Sequence, residues 1–404
     1  MNIAIIGAGI AGVTTAWELA RAGHEVTVFE RHLAAAEEGS FATGGLLGPG
    51  HLAFWSTRLG QAGRPFWGGK ELHWLWKNWR ASRSEQQARR HQSLQGLAAY
   101  SSACLRELRS ELEFEFEHSA GVLVLLRGER EHATLTPALQ WLKAQGVAHR
   151  ELNPIAARTI EPALNPDTAL HSALHLPDDQ AGNCRQFALL LKKEALRHGV
   201  QFNFSTAVER LAPTAQGMDI QIVGEPQARH FNAAVLCAGL DSARLLKPLG
   251  PRLPLLPVHG YSVSAAVREP LDAPISALLD AHHQISITRL GQRVRVAGGV
   301  AMEGSASKLN QTRLQTLYQV LQDWFPGAAM LSNGVQTWKG TRLVLPDGLP
   351  LLGPSSVPGL WLNTGHGAHG WALSCGSARI VADLLSNGDA ALDVQDFTPQ
   401  RLQS

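Results

Sequence analysis

Three glycines near the N-terminus have the spacing that binds the phosphates of a dinucleotide. They are Gly7, Gly9 and Gly12, in the pattern GxGxxG. The first permits a tight turn, the second lets a pyrophosphate approach the backbone, and the third lets a helix pack closely on the preceding strand. Glu30 follows at the distance expected for a carboxylate that hydrogen-bonds an adenosine ribose. An acidic residue at this position disfavours NADP, because it would repel the 2′-phosphate.

Local patterns predict the elements that position these residues. Residues 3–6 are a short apolar run typical of a buried parallel strand, and residues 13–20 have a helical pattern. Gly23 ends that helix, and residues 25–29 form a second strand before the acidic residue. The first strand, the glycine turn, the helix, the second strand and the acidic residue follow one another in the order expected of a dinucleotide-binding unit. We therefore interpret the start of the chain as a nucleotide site rather than as a glycine-rich turn without a ligand.

Composition and charge exclude several classes of protein. The chain has 404 residues, of which 45% are hydrophobic and 17% are charged, which is typical of a globular protein with two domains. A net charge of +2 provides no broad basic surface and argues against nucleic-acid binding. No apolar stretch is long enough to span a bilayer, and the N-terminus lacks the basic segment of a signal peptide. The cysteines have no CxxC spacing, which indicates a reduced cytoplasmic protein without a disulfide framework or zinc site; they are Cys104, Cys184, Cys237 and Cys375.

Nucleotide-type elements recur in the middle and at the end of the chain. Residues 233–239 are a buried strand that ends in glycine, and residues 359–367 are a strand that enters a glycine turn. Residues 253–300 are rich in strand patterns. This interleaving predicts an α/β fold, in which a strand-rich α+β substrate domain is inserted into a discontinuous Rossmann-like domain. The expected nucleotide domain comprises residues 1–50, 151–252 and 333–404, and the expected substrate domain comprises residues 51–150 and 253–332.

Several segments match motifs of one enzyme family. Besides the N-terminal fingerprint, they are residues 38–50, 176–184, 260–262, 287–289, 338–342 with 346–348, and 361–371. On these motifs the chain resembles the FAD-dependent D-amino-acid dehydrogenases of the D-amino-acid oxidase and glycine oxidase superfamily. The resemblance implies non-covalently bound FAD and oxidation of D-amino acids to 2-oxo acids and ammonia. It also implies that the electrons pass to a membrane quinone or another electron-transfer partner.

The resemblance also assigns site residues. Arg342 would clamp the substrate carboxylate through two parallel hydrogen bonds, and Tyr261 would add a second donor. His366 would lie beside the flavin, chiefly through its backbone. Hydride would pass from Cα to flavin N5 without a strong protein base, and no metal is expected. The implied cofactor-binding residues are Ile6, Gly7, Gly9, Ile10, Ala11, Gly12, Glu30, Arg31, Ser40, Thr43, Gly44, Gly45, Val208, Ala238, Gly239, Gly340, Gly365, Gly367, Ala368, His369, Gly370 and Trp371.

Simpler explanations stay open for some of these residues. Arg342 could form a surface ion pair, Tyr261 could pack in the core, and His369 could face solvent. Cys375 suggests a covalent flavin link, but a small buried residue in a helix explains it more simply.

The chain departs from the usual pattern of the family at five positions. Thr43 and Leu46 replace an Asn and a Gln, and His51 stands where Tyr is common. Lys339 replaces a small polar residue, and Thr341 replaces a Leu. These differences leave the substrate open to a cyclic imino acid such as D-proline or to another amine. The alternative functions are an oxygen-using glycine or sarcosine oxidase, a non-catalytic FAD-binding subunit and an NAD-dependent dehydrogenase.

One segment has an unusual composition. Residues 54–80 contain five of the eleven tryptophans, interleaved with basic residues, as in elements that lie at a membrane interface. One hypothesis is peripheral docking on the inner face of the cytoplasmic membrane. The other is an aromatic helix that packs over the substrate pocket or on a partner subunit. The oligomeric state does not follow from the sequence. The five tryptophans are Trp55, Trp67, Trp74, Trp76 and Trp79.

Overall fold

A six-stranded sheet surrounds the N-terminal strand. A computed structural model describes residues 1–55, 69–83, 86–250, 253–301, 309–386 and 388–402. In spatial order the strands are β17 (Leu351–Pro354), β18 (Leu360–Thr364), β11 (Ala233–Leu236), β1 (Asn2–Ile6), β2 (Glu25–Phe29) and β7 (Gln201–Asn203). Neighbouring strands are parallel, except that β17 runs antiparallel to β18. The sheet therefore joins the beginning, the middle and the end of the chain, and the predicted α/β fold class is confirmed.

Helices cover one face of this sheet, and a small sheet covers the other. The helices are α1 (Ile10–Arg21), α7 (Cys184–Arg197) and α10 (Gly370–Leu385), with α4 (Gln86–Leu112) packed outside α10. The fully buried Val13 and Trp17 of α1 belong to this core. The small antiparallel sheet consists of β8 (Val208–Thr214), β9 (Gly217–Ile222) and β10 (Arg229–Phe231).

A mixed nine-stranded sheet forms the second part of the molecule. Its order is β16 (Gln336–Val344), β12 (Leu256–Ala266), β15 (Arg293–Ala301), β14 (Ile285–Leu290), β13 (Ala277–Asp280), β4 (Ser119–Leu126), β6 (Ser172–Ala181) and β3 (Leu46–Leu47), and β5 (Arg150–Leu152) pairs with β6. Helix α9 (Gln311–Trp324) packs on β12 and β15 and buries Leu317 and Trp324 completely.

Three strands join a different sheet from the one that the expected domain boundaries imply. β3, β6 and β16 lie in segments 1–50, 151–252 and 333–404, which the sequence assigned to the nucleotide domain, yet all three pair within the nine-stranded sheet. An alternating sequence pattern predicts that a segment is a strand, but it does not indicate which other strands that segment pairs with. The division into domains stays a prediction.

The remaining helices lie mainly around the nine-stranded sheet. They are α2 (Leu52–Trp55), α3 (Gly69–Ser82), α5 (Glu129–Ala144), α6 (Pro154–Ile160) and α8 (Asp241–Leu246). Within the described ranges, no helix combines the length and the apolar composition needed to cross a membrane.

The Trp-rich segment separates into buried and exposed side chains on α3. Trp74 is 3% exposed and packs with Val258 and Val344 of the nine-stranded sheet. Trp76 and Trp79 are 49% and 52% exposed. Trp67 lies outside the described residues. The segment is therefore not uniform, because one tryptophan holds the helix on the protein while two others face outward.

Candidate active site

A cavity runs from the glycine turn before α1 to strand β16. Its wall contains every predicted cofactor-binding residue except Gly12 and Gly340. Two of the three predicted catalytic residues, Arg342 and His366, also line it. The structure thus brings together residues that are more than 300 positions apart in the sequence.

The glycine turn has the close backbone contacts that its spacing predicts. Gly7 has a φ of +102°, in the region that favours glycine. A Cβ on Gly12 would lie 1.9 Å from the carbonyl oxygen of Gly7, so this residue packs beneath the turn rather than on the cavity wall. The first N–H of α1, from Ile10, donates to Oγ of Ser40 at 3.0 Å. The turn is therefore shaped to expose backbone N–H groups and the positive end of a helix to a ligand.

Glu30 lies at the end of β2 and faces the same cavity. Its Oε2 accepts from the N–H of Ala8 at 2.7 Å, and its Oε1 accepts from the N–H of His32 at 2.9 Å. A carboxylate has about four acceptor sites, so lone pairs remain for hydroxyl groups of a ribose. The neighbouring Arg31 pairs with Glu38 and Asp241 at 2.8 Å each.

The loop from Gly39 to Gly45 is held against the nine-stranded sheet. Oγ1 of Thr288 donates to the carbonyl of Gly44 at 2.8 Å, and Nη1 of Arg295 donates to the carbonyl of Thr43 at 3.3 Å. Neither residue was assigned a role from the sequence. Thr288 falls within a matched motif, whereas Arg295 alternates in a strand without any distinguishing signal.

The turn before α10 forms another part of the wall. Gly365 and Gly367 have φ values of +78° and +57°. The imidazole Nε2 of His366 shares a hydrogen bond of 3.2 Å with Oγ of Ser377 on α10. Burial lowers the pKa of His366 to about 4, so its ring is neutral at pH 7. The side chain of His366 thus holds the turn on the helix, and the backbone of the turn faces the cavity.

Arg342 projects from β16 into the cavity without a counter-ion. Within the described part of the chain, no carboxylate or hydrogen-bond acceptor pairs with its guanidinium. Burial lowers the pKa of Arg342, although the group stays cationic at neutral pH. The guanidinium lies over Gly260 of β12. Arg342 is half-buried. Since a cation that is shielded from water without a partner is costly, this geometry is suited to an anionic group of a ligand.

Tyr261 does not line the cavity, in contrast to its predicted role beside Arg342. It is 2% exposed and packs in the core beneath the sheet with Leu317 of α9. Successive residues of a strand point to opposite faces, so Tyr261 faces away from the side on which Gly260 meets the guanidinium. Gly340 is also absent from the wall, because it lies against Gly39 of the loop.

His51 and His369 lie on the wall near Arg342. His51 is held by Asp179 of β6, which accepts from its Nδ1 at 2.9 Å. Burial, with a smaller contribution from the nearby Arg342 cation, lowers the pKa of His369 to about 3. His369 is therefore neutral at pH 7 and is not simply a solvent-exposed side chain.

A second cavity lies on the other side of the same turn. Gly365, Gly367, Ala368 and His369 line both cavities. The opposite wall of the second cavity comes from α3 and α4, including Asn78 and His91. A single turn of backbone thus separates the two spaces.

The protein family follows from comparison of this chain with known proteins. Residues 2–384 match the family described as FAD dependent oxidoreductase (DAO). The chain belongs to this family. This FAD dependent oxidoreductase is 36% identical to a D-amino acid dehydrogenase of Bradyrhizobium diazoefficiens, over 99% of each chain. It is 34% identical to a D-amino acid dehydrogenase of Neisseria gonorrhoeae, over the full length of both. The resemblance drawn from the sequence motifs is thereby confirmed.

Solved structures confirm the fold of this FAD dependent oxidoreductase. The glycine oxidase from Geobacillus kaustophilus matches with a TM-score of 0.81 and 23% identity, over 99% of this chain and 98% of that one. The L-proline dehydrogenase from P. horikoshii matches with a TM-score of 0.76 and 17% identity, over 100% and 97%.

The residues present fit FAD. A side chain on Gly9 would enter the space between the helix end and Ser40, where a Cβ would already be 3.4 Å from Oγ. The bare backbone of Gly9, the N-terminus of α1 and the carboxylate of Glu30 suit a pyrophosphate and a ribose in that order. When bound, FAD supplies the acceptor for a hydride. Cys375 lies buried within α10, and it is not among the residues that line the cavity. The non-covalent attachment of FAD stays a prediction.

Proposed function

We propose that this protein oxidises D-amino acids at the Cα–N bond and yields 2-oxo acids and ammonia. The names of the full-length relatives support a D-amino acid substrate. The single observation that carries the proposal is the unpaired guanidinium of Arg342 in a cavity that otherwise suits FAD. Carboxylates match a guanidinium through two parallel hydrogen bonds, and every amino acid carries this group.

The chain's own residues would bind and orient the two reactants. Gly7 and Gly9 would hold the pyrophosphate with the N-terminus of α1, and Glu30 would hold the ribose. Backbone N–H groups of the turn at residues 365–371 would face the ring edge that gains negative charge on reduction. Arg342 would fix the substrate carboxylate and thereby direct Cα–H towards the flavin.

We further propose a quinone-type acceptor that approaches from the side of α3. The second cavity supports this route, because it reaches the turn at residues 365–369 from beneath α3 and α4. On the outer face of α3, Arg80 lies 5.7 Å from the ring of Trp76, and Arg83 lies 4.5 Å from the ring of Trp79. Exposed tryptophans paired with arginines suit the headgroup region of an anionic membrane, where a quinone would be available.

Anaerobic reduction tests the proposed reaction. The purified protein should show a flavin spectrum that is bleached by D-amino acids and not by their L-enantiomers. Bleaching by L-amino acids alone, or by no amino acid, would overturn the proposed substrate class. A cyclic substrate such as D-proline belongs in the same series, because it tests whether a secondary amine is preferred.

Two further measurements test the acceptor and the attachment of the cofactor. The reduced enzyme should be reoxidised by a water-soluble quinone much faster than by oxygen, with little peroxide formed. Rapid peroxide formation in air would instead identify an oxidase.

Acid precipitation should release FAD into the supernatant, and flavin that stays with the pellet would contradict non-covalent binding.

A further inference from the structure

His51 and Asp179 form a buried pair on the wall of the active-site cavity. His51 is 4% exposed and Asp179 is 1% exposed. Oδ2 of Asp179 accepts from Nδ1 of His51 at 2.9 Å and from its backbone N–H at 2.7 Å. Oδ1 accepts from the N–H of Gly50 at 2.9 Å. These three hydrogen bonds fix both side chains in one orientation.

The surrounding chain is shaped to admit the carboxylate. Gly48 has a φ of +116°, and a Cβ there would lie 2.3 Å from Oδ1 of Asp179. A Cβ on Gly50 would lie 3.0 Å from the same atom. The two glycines thus make room for Asp179 at the point where the loop enters α2.

The pair leaves one nitrogen of His51 available to the cavity. In the neutral form of His51, Nδ1 donates to the carboxylate of Asp179, which leaves Nε2 as an acceptor. Nε2 has no hydrogen-bond partner among the described residues, and His51 lines the cavity together with Arg342. A histidine oriented by a carboxylate, with its second nitrogen facing a substrate, is the arrangement of a general base.

The proposed reaction requires that a proton be removed from the substrate nitrogen. An amino acid at neutral pH carries an ammonium group, and its nitrogen must have a free electron pair before Cα can lose a hydride. We propose that Nε2 of His51 accepts the proton from the substrate ammonium and that Asp179 positions His51 for this step. The inference rests on the proposed function and differs from the expectation that no protein base takes part.

The step balances without any further reactant. The N–H bond breaks, the proton moves to Nε2, and the electron pair stays on nitrogen. When Cα gives up its hydride, which bound FAD would accept, that pair would form the C=N bond of the protonated imino acid. The proton on His51 then leaves to solvent after the product has gone.

Three other charged or titratable groups lie close to this step. Arg342 is cationic and would bind the carboxylate, which places the ammonium elsewhere in the cavity. His369 is neutral, and burial also lowers the pKa of His91 on α4, which lies behind it. Among the described residues, a carboxylate pairs with His51 but not with His369 or His91, so His51 is the histidine at this end of the cavity that is suited to hold a proton.

The pH dependence of His51→Gln tests the proposal. Flavin reduction by the best D-amino acid should be slower in the variant by about 10²-fold or more at neutral pH. The loss should shrink about tenfold per pH unit towards the pKa of the substrate amine, because solvent then supplies the neutral amine. FAD content and melting temperature should match those of the wild type. A loss that is equal at every pH, or no loss, would overturn the proposal.

Two additional measurements separate base catalysis from simple packing. A substrate with a weakly basic amine, such as 3,3,3-trifluoro-D-alanine, arrives neutral, so its reduction rate should differ little between wild type and His51→Gln. Asp179→Asn should lower the rate constant for reduction more than it weakens substrate binding.

The outcomes distinguish the two proposals. If D-amino acids bleach the wild type but the variants do not show these changes in reduction rate, only the role of His51 fails. If the wild type is not bleached at all, the proposed function fails and the role of His51 fails with it.

Discussion

The guanidinium of Arg342 lies over Gly260, so closely that a Cβ on Gly260 would be 2.6 Å from its Nη2. Arg342 is on β16 and Gly260 is on the adjacent strand β12. Because the arginine side chain is flexible at its far end, a methyl group at residue 260 would displace the guanidinium rather than break the sheet. The glycine thus sets the position of the predicted carboxylate-binding group.

Gly260→Ala should therefore impair the recognition of carboxylates while the protein stays folded. We expect kcat/KM for the best amino acid to fall by about 10- to 100-fold, which corresponds to the loss of about one hydrogen bond to a charged group. FAD content should be unchanged. Ser262→Ala, two residues along the same strand, is the matched control. A variant of Gly260 with wild-type kinetics would show that the guanidinium position does not matter.

Arg342→Ala should remove the carboxylate-binding group altogether. We expect kcat/KM to fall by about two to three orders of magnitude, because the substrate carboxylate would be buried without its partner. Arg342→Lys should recover only part of the rate, since an ammonium cannot make the paired hydrogen bonds. Stopped-flow reduction and absorbance of bound FAD are the measurements. Unchanged kinetics in the alanine variant would exclude Arg342 from substrate binding.

Gly9→Val should yield protein without flavin. The side chain would project between the N-terminus of α1 and Ser40, into the space assigned to the pyrophosphate. Gly96→Val on α4 is the control, since no atom lies within 4 Å of the position of its Cβ. The ratio of flavin to protein absorbance checks the result. A yellow Gly9→Val protein would contradict the cofactor assignment.

Replacement of both Trp76 and Trp79 by Ser should weaken binding to anionic liposomes. Their exposed rings and adjacent arginines form the face that we propose to contact lipid. Leu271→Ser with Ile155→Ser serves as the control, because these exposed side chains, at 85% and 79%, lie on other elements. Co-sedimentation is the measurement, and equal binding by all three proteins would remove the membrane proposal. Trp74 is unsuitable for this test, since its loss would disturb the core.

The free energy of unfolding should decrease as the pH falls below 6.5. The buried His366 has a pKa of about 4, whereas the same group in the unfolded chain has its ordinary pKa of 6.5. Between these values only the unfolded chain binds the proton, so this residue should lower stability by about 1.4 kcal/mol per pH unit. His366→Gln should reduce that slope. Urea unfolding of the holoenzyme from pH 7 to pH 4 provides the measurement, and identical slopes would contradict a buried neutral imidazole.

The nucleotide-binding part was predictable because its chemistry requires particular backbone shapes. Gly7 and Gly12 are needed wherever a helix must start this close to a strand, so their spacing, together with the flanking strand and helix patterns, indicates the fold. The sequence did not indicate which face of strand β12 points to the cavity and which points to the core. Tyr261 and Gly260 are adjacent in sequence, and only the packing of α9 shows which of them faces the cavity.

Contacts between distant segments were not predictable from a single sequence. His51 and Asp179 are 128 residues apart. The sequence marks His51 as a departure from the family and places Asp179 in a matched motif, but nothing local indicates that the two side chains pair. On α3, the aromatic composition indicated an interface, but only the position of the nine-stranded sheet shows that Trp74 faces inward and Trp76 outward. Contacts between residues that are distant in sequence depend on the assembled fold, so local sequence patterns do not predict them.

The order of strands in the six-stranded sheet has a consequence for biosynthesis. β18 lies between β11 and β17, and the cavity wall includes residues from Ile6 to Ala372. Until a ribosome has added β18 and the turn before α10, the sheet lacks an interior strand and the wall lacks a side. FAD therefore cannot be captured by a nascent chain that is shorter than this. Cofactor binding should come late, after translation has passed α10, and a cell short of FAD would accumulate complete chains in the apo form rather than truncated ones.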